Sequence, residues 1–132
     1  MTGPWTWVAT EVAIATHAEQ LAEHGGGEGV RDAGALESAM ARPQNLAVYG
    51  EPDVAELAAA YAFGIARNNP FVDGNKRTAA VVSEVFIDMN GFQLSASDAE
   101  ITVAFLALAA GELTEEEMAD WFRRHIASSD QT

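Results

Sequence analysis

Apolar residues recur at the spacing of one helix face in six stretches of the chain. The clearest is the third stretch, where they return every three or four positions from Val54 to Ile65. The earliest stretch predicts a first helix over about residues 10–24. Its apolar face would consist of Ile14, Ala18, Leu21 and Ala22. No stretch shows the alternation of a half-buried β-strand, so the pattern predicts an all-α fold of about six helices.

Local signals mark the ends of these helices. Three starts carry a capping box, in which Ser, Thr or Asp precedes Glu by three residues. The pairs are Asp53 with Glu56, Ser97 with Glu100, and Thr114 with Glu117. Glycines follow the first, fourth and fifth helices, and Pro43 is expected to end a short second helix over about residues 32–41. No low-complexity linker separates the helices, so we expect residues 1–132 to form one compact domain.

The composition restricts the partners that the protein can bind. The 132 residues include 20 acidic and 7 basic side chains, which gives a net charge of −13. Such a surface repels nucleic acids and anionic lipids, because binding to either depends on clustered cations. The apolar stretches are too interrupted to span a bilayer, and the first residues lack the pattern of a signal peptide. We therefore expect a cytoplasmic protein that binds neither membranes nor nucleic acid directly.

The turn before the fourth helix, residues 68–79 with the sequence NNPFVDGNKRTA, is the strongest candidate for a functional site. At a helix start, free backbone N–H groups and the helix dipole attract anions, and Gly74 lets the backbone approach them closely. Lys76 is the only lysine of the chain. Beside it, Arg77 could grip two phosphate oxygens, and Asp73 could hold a Mg²⁺ ion that bridges phosphates. These parts predict a site for a phosphorylated ligand.

A purely structural role for the same turn is the alternative. Asp73 would then cap the helix, Gly74 would form the turn, and the two cations would be solvated. Short motifs match by chance, so the five residues Asp73 to Arg77 taken alone favour this alternative. The lone lysine, the Pro70–Phe71 pair that fixes the incoming turn, and the apolar helices on both sides favour a ligand site instead. Phe71 would anchor the turn by pointing inward, as an ordinary core phenylalanine also would.

The segment from Asn69 to Ala79 resembles the signature of the Fic/Doc superfamily, His-x-Phe-x-Asp/Glu-Gly/Ala-Asn-Gly/Lys-Arg. Segments 25–26, 29–32, 36–39, 41–43 and 58–61 also resemble death-on-curing (Doc) toxins, so the likeness covers nearly the whole chain. Adenylyl transferases of Fic type usually have Gly where this chain has Lys76, and Arg where it has Ala80. The chain is therefore identified as similar to the Doc branch, which implies the Fic/Doc all-α fold.

The resemblance implies an enzyme, the toxin of a toxin–antitoxin system. Doc proteins transfer the γ-phosphoryl group of ATP to a protein hydroxyl, and the family's target is elongation factor Tu, whose modification stops translation. Carried over by position, Lys76 and Arg77 would bind phosphates and take part in catalysis. Gly74 and Asn75 would help to cradle the phosphates. Asp73 would hold Mg²⁺, and adenylyl transfer of Fic type is the alternative reaction.

The resemblance also implies a partner. Doc relatives pair with a small antitoxin of Phd type, whose C-terminal segment enters a groove on the toxin as an amphipathic helix. Many Fic proteins carry an inhibitory helix with the pattern Ser/Thr-x-x-x-Glu, but no Ser or Thr of this chain has Glu four residues later. Inhibition is therefore expected to come from a separate protein.

Asn69 occupies the position of the family's catalytic histidine. That histidine accepts the proton of the attacking hydroxyl, and an amide cannot accept a proton near pH 7. His17, His24 and His125 lie outside the turn, and we expect none of them to replace it. The activity of this chain is therefore expected to be lost or impaired. Two explanations stay open: a deliberate replacement of histidine, and a natural degenerate member that keeps nucleotide or partner binding without transfer.

Overall fold

The structure, a computed structural model, describes residues 5–128. Within this range the chain forms six α-helices and two short β-strands. The elements are α1 Thr10–His24, α2 Ala33–Tyr49, α3 Val54–Asn68, α4 Asn75–Met89, β1 Phe92–Leu94, α5 Asp98–Ala109, α6 Glu115–His125 and β2 Ile126–Ser128. The predicted six-helix, all-α architecture is confirmed. None of the helices between residues 5 and 128 combines the length and apolarity that a bilayer span requires.

Helix α3 forms the centre of the fold because it is apolar on every side. Most of its residues are buried, and it packs against α2, α4, α5 and α6. Small residues let these neighbours approach closely. A Cβ placed on Gly64 of α3 would lie only 3.0 Å from the Cα of Ala39 in α2. Helix α3 therefore fixes both the core and the start of the turn that follows it.

The three predicted capping boxes are all present. At the start of α3, the side chain of Asp53 accepts a hydrogen bond from Glu56 N at 2.9 Å, and the side chain of Glu56 accepts one from Asp53 N at 3.1 Å. Asp53 also accepts from Arg123 Nε at 2.9 Å, which ties α6 to α3. Burial raises the pKa of Asp53, but the hydrogen bonds from Arg123 and Glu56 outweigh it and lower the pKa overall.

The predicted end of the second helix at Pro43 is wrong. Helix α2 continues to Tyr49 and contains a buried Pro43 in its interior. A proline inside a helix removes one backbone hydrogen bond. Helix α2 tolerates this loss because it packs along α3, where the contact between Ala39 and Gly64 holds the two helices together.

The predicted buried face of α1 is also wrong in part. Ile14 is 43% exposed and both alanines of the predicted face are exposed as well, whereas the buried residues of the helix are Ala13, Thr16 and His17. The apolar periodicity missed two of these three because they are polar. The ring of His17 stacks on that of Phe71 with centroids 4.0 Å apart, and this contact sets the rotation of α1.

Strands β1 and β2 form an antiparallel pair with Gln93 opposite Ala127. The pair joins the segment after α4 to the segment after α6. Neither strand was predicted, because three residues are too few to display an alternating pattern.

Candidate functional site

The predicted motif turn connects α3 to α4. Asn69 follows α3 in the left-handed conformation, with φ 48° and ψ 58°, and it is the only non-glycine residue with positive φ between residues 5 and 128. Pro70 disfavours a right-handed helical conformation at the residue before it, which agrees with the predicted break at this point. Gly74 then starts α4, also in the left-handed region with φ 75°. Two left-handed residues therefore delimit the turn.

Phe71 lies in the core beneath the turn. Its side chain is fully buried and stacks on His17 of α1. Its backbone is held by the side-chain amide of Asn75, whose Oδ1 accepts from Phe71 N at 2.9 Å and whose Nδ2 donates to Phe71 O at 3.0 Å. Asn75 is thus engaged with the turn through both of its side-chain polar atoms, so its side chain shapes the site.

The N-terminus of α4 has no side-chain cap, and the two cationic side chains of its first turn face solvent. Its N-cap, Gly74, makes no side-chain cap hydrogen bond. The first backbone N–H groups of a helix have no acceptor within the helix and carry its positive dipole end. Lys76 and Arg77 in the first turn are exposed. An anion would therefore meet backbone donors and two cations at this end of α4.

Asp73 lies beside this helix start. Its Oδ1 accepts from Gly74 N at 2.8 Å, and its backbone oxygen accepts from Nε2 of His17 at 2.7 Å. A Cβ on Gly26 would lie 2.7 Å from Oδ2 of Asp73, and φ of Gly26 is 121°, so a side chain at this position would be strained and would displace the carboxylate. No cluster of three or more His, Asp or Glu side chains that could hold a metal occurs within residues 5–128. Mg²⁺ is commonly held by one or two carboxylates together with waters and phosphate oxygens.

The segment before α2 clamps the turn from the other side. Val72 N donates to Gly29 O at 3.0 Å, and the N–H groups of Arg31 and Asp32 both donate to Pro70 O, at 2.7 and 3.1 Å. Val30 and Phe71 form an isolated antiparallel bridge. The turn is therefore paired as a short strand would be. Its backbone is fixed by residues almost 40 positions earlier, and local sequence spacing gave no sign of that.

A groove of about 840 Å³ runs from this turn along α4 and α5. Every predicted site residue lines it, namely Asn69, Phe71, Asp73, Gly74, Asn75, Lys76 and Arg77. The structure thus brings the predicted residues together in one concave surface. Sequence reasoning missed Arg31, the end of α1 and the wall from α5, which also line the groove. A signal for Arg31 existed, because it lies in one of the segments that resemble Doc toxins.

The groove has two chemically different halves. Cations and helix N–H groups surround the turn at the start of α4, and Phe105 and Leu106 of α5 add apolar side chains to the groove. Farther along α4, the groove is lined by the carboxylates of Glu84 and of Asp98 of α5. Burial and the neighbouring carboxylates Asp88 and Asp98 raise the pKa of Glu84. The groove therefore changes from positive to negative along its length.

The three histidines occupy different environments. His17 is 3% exposed beneath the turn, where its Nε2 donates to Asp73 O. His24, at the end of α1, lines the groove. His125 ends α6, stacks on Trp121 and donates from Nδ1 to Trp121 O at 2.7 Å, which agrees with the predicted helix-end role. His17 therefore supports the turn from below, a contact that the sequence did not predict.

Comparison with known proteins identifies the family. A sequence model described as the Fic/DOC family matches residues 7–87, more than half of the chain. The chain is 34% identical over 124 residues to a protein named "Protein kinase doc" from Escherichia phage P1. The aligned region covers 93% of this chain and 98% of that protein. It is 48% identical over 75 residues to "Toxin Doc" from Mycolicibacterium smegmatis, covering 54% of this chain and 57% of that protein. The chain belongs to the Fic/Doc family, in its Doc branch.

Proposed function

We propose that this chain is a Doc-type toxin scaffold that binds ATP with Mg²⁺ but lacks the base needed for efficient phosphoryl transfer. The scaffold's reaction is transfer of the γ-phosphoryl group of ATP to a hydroxyl of a protein. One observation carries the proposal: the uncapped N-terminus of α4, with exposed Lys76 and Arg77, opens into the same groove as position 69. The membership of the Doc branch supplies the reaction class.

The binding half of the site follows from the first turn of α4. The amides after Gly74 and the helix dipole would hold phosphate oxygens, with Arg77 as a two-pronged donor and Lys76 as a mobile charge. Asp73, whose carboxylate already faces the helix start, would hold Mg²⁺ together with the phosphates. The metal would neutralise charge that develops on the transferred group. Asn75 would contribute its backbone amide, since its side chain holds Phe71.

The reacting half of the site lacks a proton acceptor. Asn69 is exposed and lines the groove, so its amide could orient an acceptor hydroxyl by hydrogen bonding. It cannot remove the proton, and losing a general base costs about 10²–10⁴ in rate. Positioning and charge stabilisation remain, so we expect slow residual transfer at most.

The target and the antitoxin follow from the Doc resemblance. We propose that the acceptor is a hydroxyl of elongation factor Tu and that the setting is the cytoplasm. We also propose a Phd-type antitoxin whose C-terminal helix enters the groove, and the apolar side chains Phe105 and Leu106 supply a suitable wall. Co-purification of this chain with the product of an adjacent small gene tests the partner. Failure of every such product to bind would remove the antitoxin proposal.

The Asn69→His variant tests the reaction. Incubated with γ-labelled ATP, Mg²⁺ and elongation factor Tu, it should transfer label at least about 10²-fold faster than the unchanged chain. It should also arrest growth when expressed. The Asn69→His/Arg77→Ala double variant should neither transfer label nor arrest growth.

The pattern of label separates the alternatives. Label that moves only from α-labelled ATP would establish adenylyl transfer in place of phosphoryl transfer. Absence of label and of growth arrest, together with retained ATP binding, would establish a non-catalytic binding module. The codon at position 69 of the chromosomal gene decides between a replaced and a naturally absent histidine.

A further inference from the structure

The side chain of Arg31 donates hydrogen bonds to the two backbone carbonyl groups that flank the Cα of Asn69. Its Nε donates to Asn69 O at 2.8 Å, and its Nη2 donates to Asn68 O at 3.0 Å. These are carbonyl groups at the C-terminal end of α3, where helix geometry leaves the last oxygens without partners. Arg31 thus caps α3 from a segment that lies 38 residues earlier.

These two hydrogen bonds fix the conformation of residue 69. The carbonyl of Asn68 belongs to the peptide plane before the Cα of Asn69, and the carbonyl of Asn69 belongs to the plane after it. The angle between the two planes is set by φ and ψ of Asn69, which lie in the left-handed region. That region costs free energy for every non-glycine residue, although less for Asn and His than for most, so contacts that hold it stabilise residue 69 there. Arg31 holds both planes with one rigid guanidinium group.

The backbone around Arg31 is itself anchored to the turn. The N–H groups of Arg31 and Asp32 donate to Pro70 O, so residues 31 and 32 bind three successive carbonyl groups, those of residues 68, 69 and 70. Asp32 in turn caps α2 by accepting from Ala35 N at 3.0 Å. The direction in which the side chain of residue 69 leaves the backbone is therefore tied to the start of α2.

We propose that Arg31 is a positioning residue that sets the direction of the side chain at position 69, and so places the base when that residue is histidine. The proposal rests on the proposed phosphotransferase function. A direct role in phosphate binding is the competing explanation, because Arg31 also lines the groove. The two roles differ in what they change: positioning affects the rate of transfer, whereas phosphate binding affects the affinity for ATP.

The kinetic test uses the Asn69→His variant as its background. Adding Arg31→Ala should lower kcat at least about tenfold, because small misplacements of a reacting group cost up to about 10²-fold, and should leave the KM for ATP within about twofold. Adding Arg31→Lys should give an intermediate kcat, since an ammonium group cannot grip both carbonyls in one fixed geometry. Arg124→Ala, which removes the same charge from the exposed end of α6, should change neither constant.

A second measurement does not depend on activity. In the chain with Asn69 in place, the backbone NMR shifts of Asn69 report its left-handed conformation. Arg31→Ala should move these shifts towards extended values and leave those of α6 unchanged, while Arg124→Ala should leave Asn69 unaffected. If Asn69→His proves inactive, the proposed function fails, but this measurement still decides the role of Arg31.

Three results would overturn the proposal. One is a raised KM for ATP with unchanged kcat in Arg31→Ala, which would make Arg31 a phosphate ligand. Another is unchanged kinetics in both Arg31 variants. The third is a left-handed Asn69 that persists in Arg31→Ala, because the guanidinium would then not hold the conformation.

Discussion

The two ends of the motif turn are built in opposite ways. At the end of α3, the backbone oxygens of Asn68 and Asn69 are closed off by hydrogen bonds from Arg31. At the start of α4, the N-cap Gly74 makes no side-chain hydrogen bond, and the first turn faces the groove with two exposed cations. Under the proposed function, the closed end holds the position of the base, and the open end offers donors to an anion. Binding and proton transfer would then lie at separate ends, so asparagine at position 69 would remove proton transfer and leave binding in place.

Phe71 supports both ends, so its removal should have the largest effect on stability. Phe71→Ala removes a fully buried ring that stacks on His17 and should lower the free energy of unfolding by about 3–5 kcal/mol. Urea denaturation measures the loss. The matched control is Val72→Ala, which truncates the neighbouring, 53% exposed side chain and should cost less than about 1 kcal/mol. Equal losses in the two variants would show that the turn is not anchored by its buried ring.

Arg77→Ala should affect the open end alone. Loss of a charged hydrogen-bond donor costs about 1.5–3 kcal/mol, so the Kd for ATP with Mg²⁺ should rise about 10- to 150-fold. Titration calorimetry measures it in the unchanged background of Asn69. Arg124→Ala removes one positive charge that does not line the groove and should leave the Kd unchanged. If ATP binding weakens equally in both variants, long-range charge attraction explains it. The start of α4 would then not be a specific anion site.

Asn75 links the two ends, because it belongs to α4 but bonds to the backbone of Phe71. Asn75→Ala would leave the N–H and C=O of Phe71 without these partners and should lower the free energy of unfolding by about 1–3 kcal/mol. Asn75→Asp keeps the acceptor for Phe71 N but sets a carboxylate oxygen against Phe71 O in place of the donor, so it should also lower the stability. Chemical denaturation measures both. Unchanged stability with weakened ATP binding would instead place the Asn75 side chain on the ligand.

The sequence predicted the parts of the fold and site that depend on nearby residues. Capping boxes such as Ser97 with Glu100 span four residues, and the motif turn spans twelve, so both could be read directly from the chain. The contacts that were missed join distant segments. His17 beneath Asp73 and Arg31 on Asn69 bridge 56 and 38 positions, and polar residues of this kind leave no apolar periodicity. Pro43 was misread for the same reason, because the packing that overrides its local effect comes from α3.

Glu84→Gln tests whether the groove is negatively charged along α4 beyond Arg77. Its effect on the free energy of unfolding should be the smallest of those predicted. Burial and the carboxylates of Asp88 and Asp98 raise the pKa of Glu84 in the folded state above its unfolded value. Ionised Glu84 therefore destabilises the fold at pH values above its folded pKa, and this cost disappears below about pH 4, where the carboxyl group is protonated in both states. Glu84→Gln should thus raise the free energy of unfolding at pH 7 by at most about 0.5 kcal/mol and have no effect near pH 4.

The control for this variant is Glu37→Gln, an exposed change on α2 that alters the net charge of −13 equally. Chemical denaturation at the two pH values measures both variants. If Glu37→Gln stabilises the protein as much, the gain comes from the overall excess of acidic groups, and the groove has no local negative half. If only Glu84→Gln does so, a negative field lies along α4 beyond its positive N-terminus. One helix then presents opposite charges to the same groove, and an occupant that places its anion on Arg77 would meet carboxylates farther along.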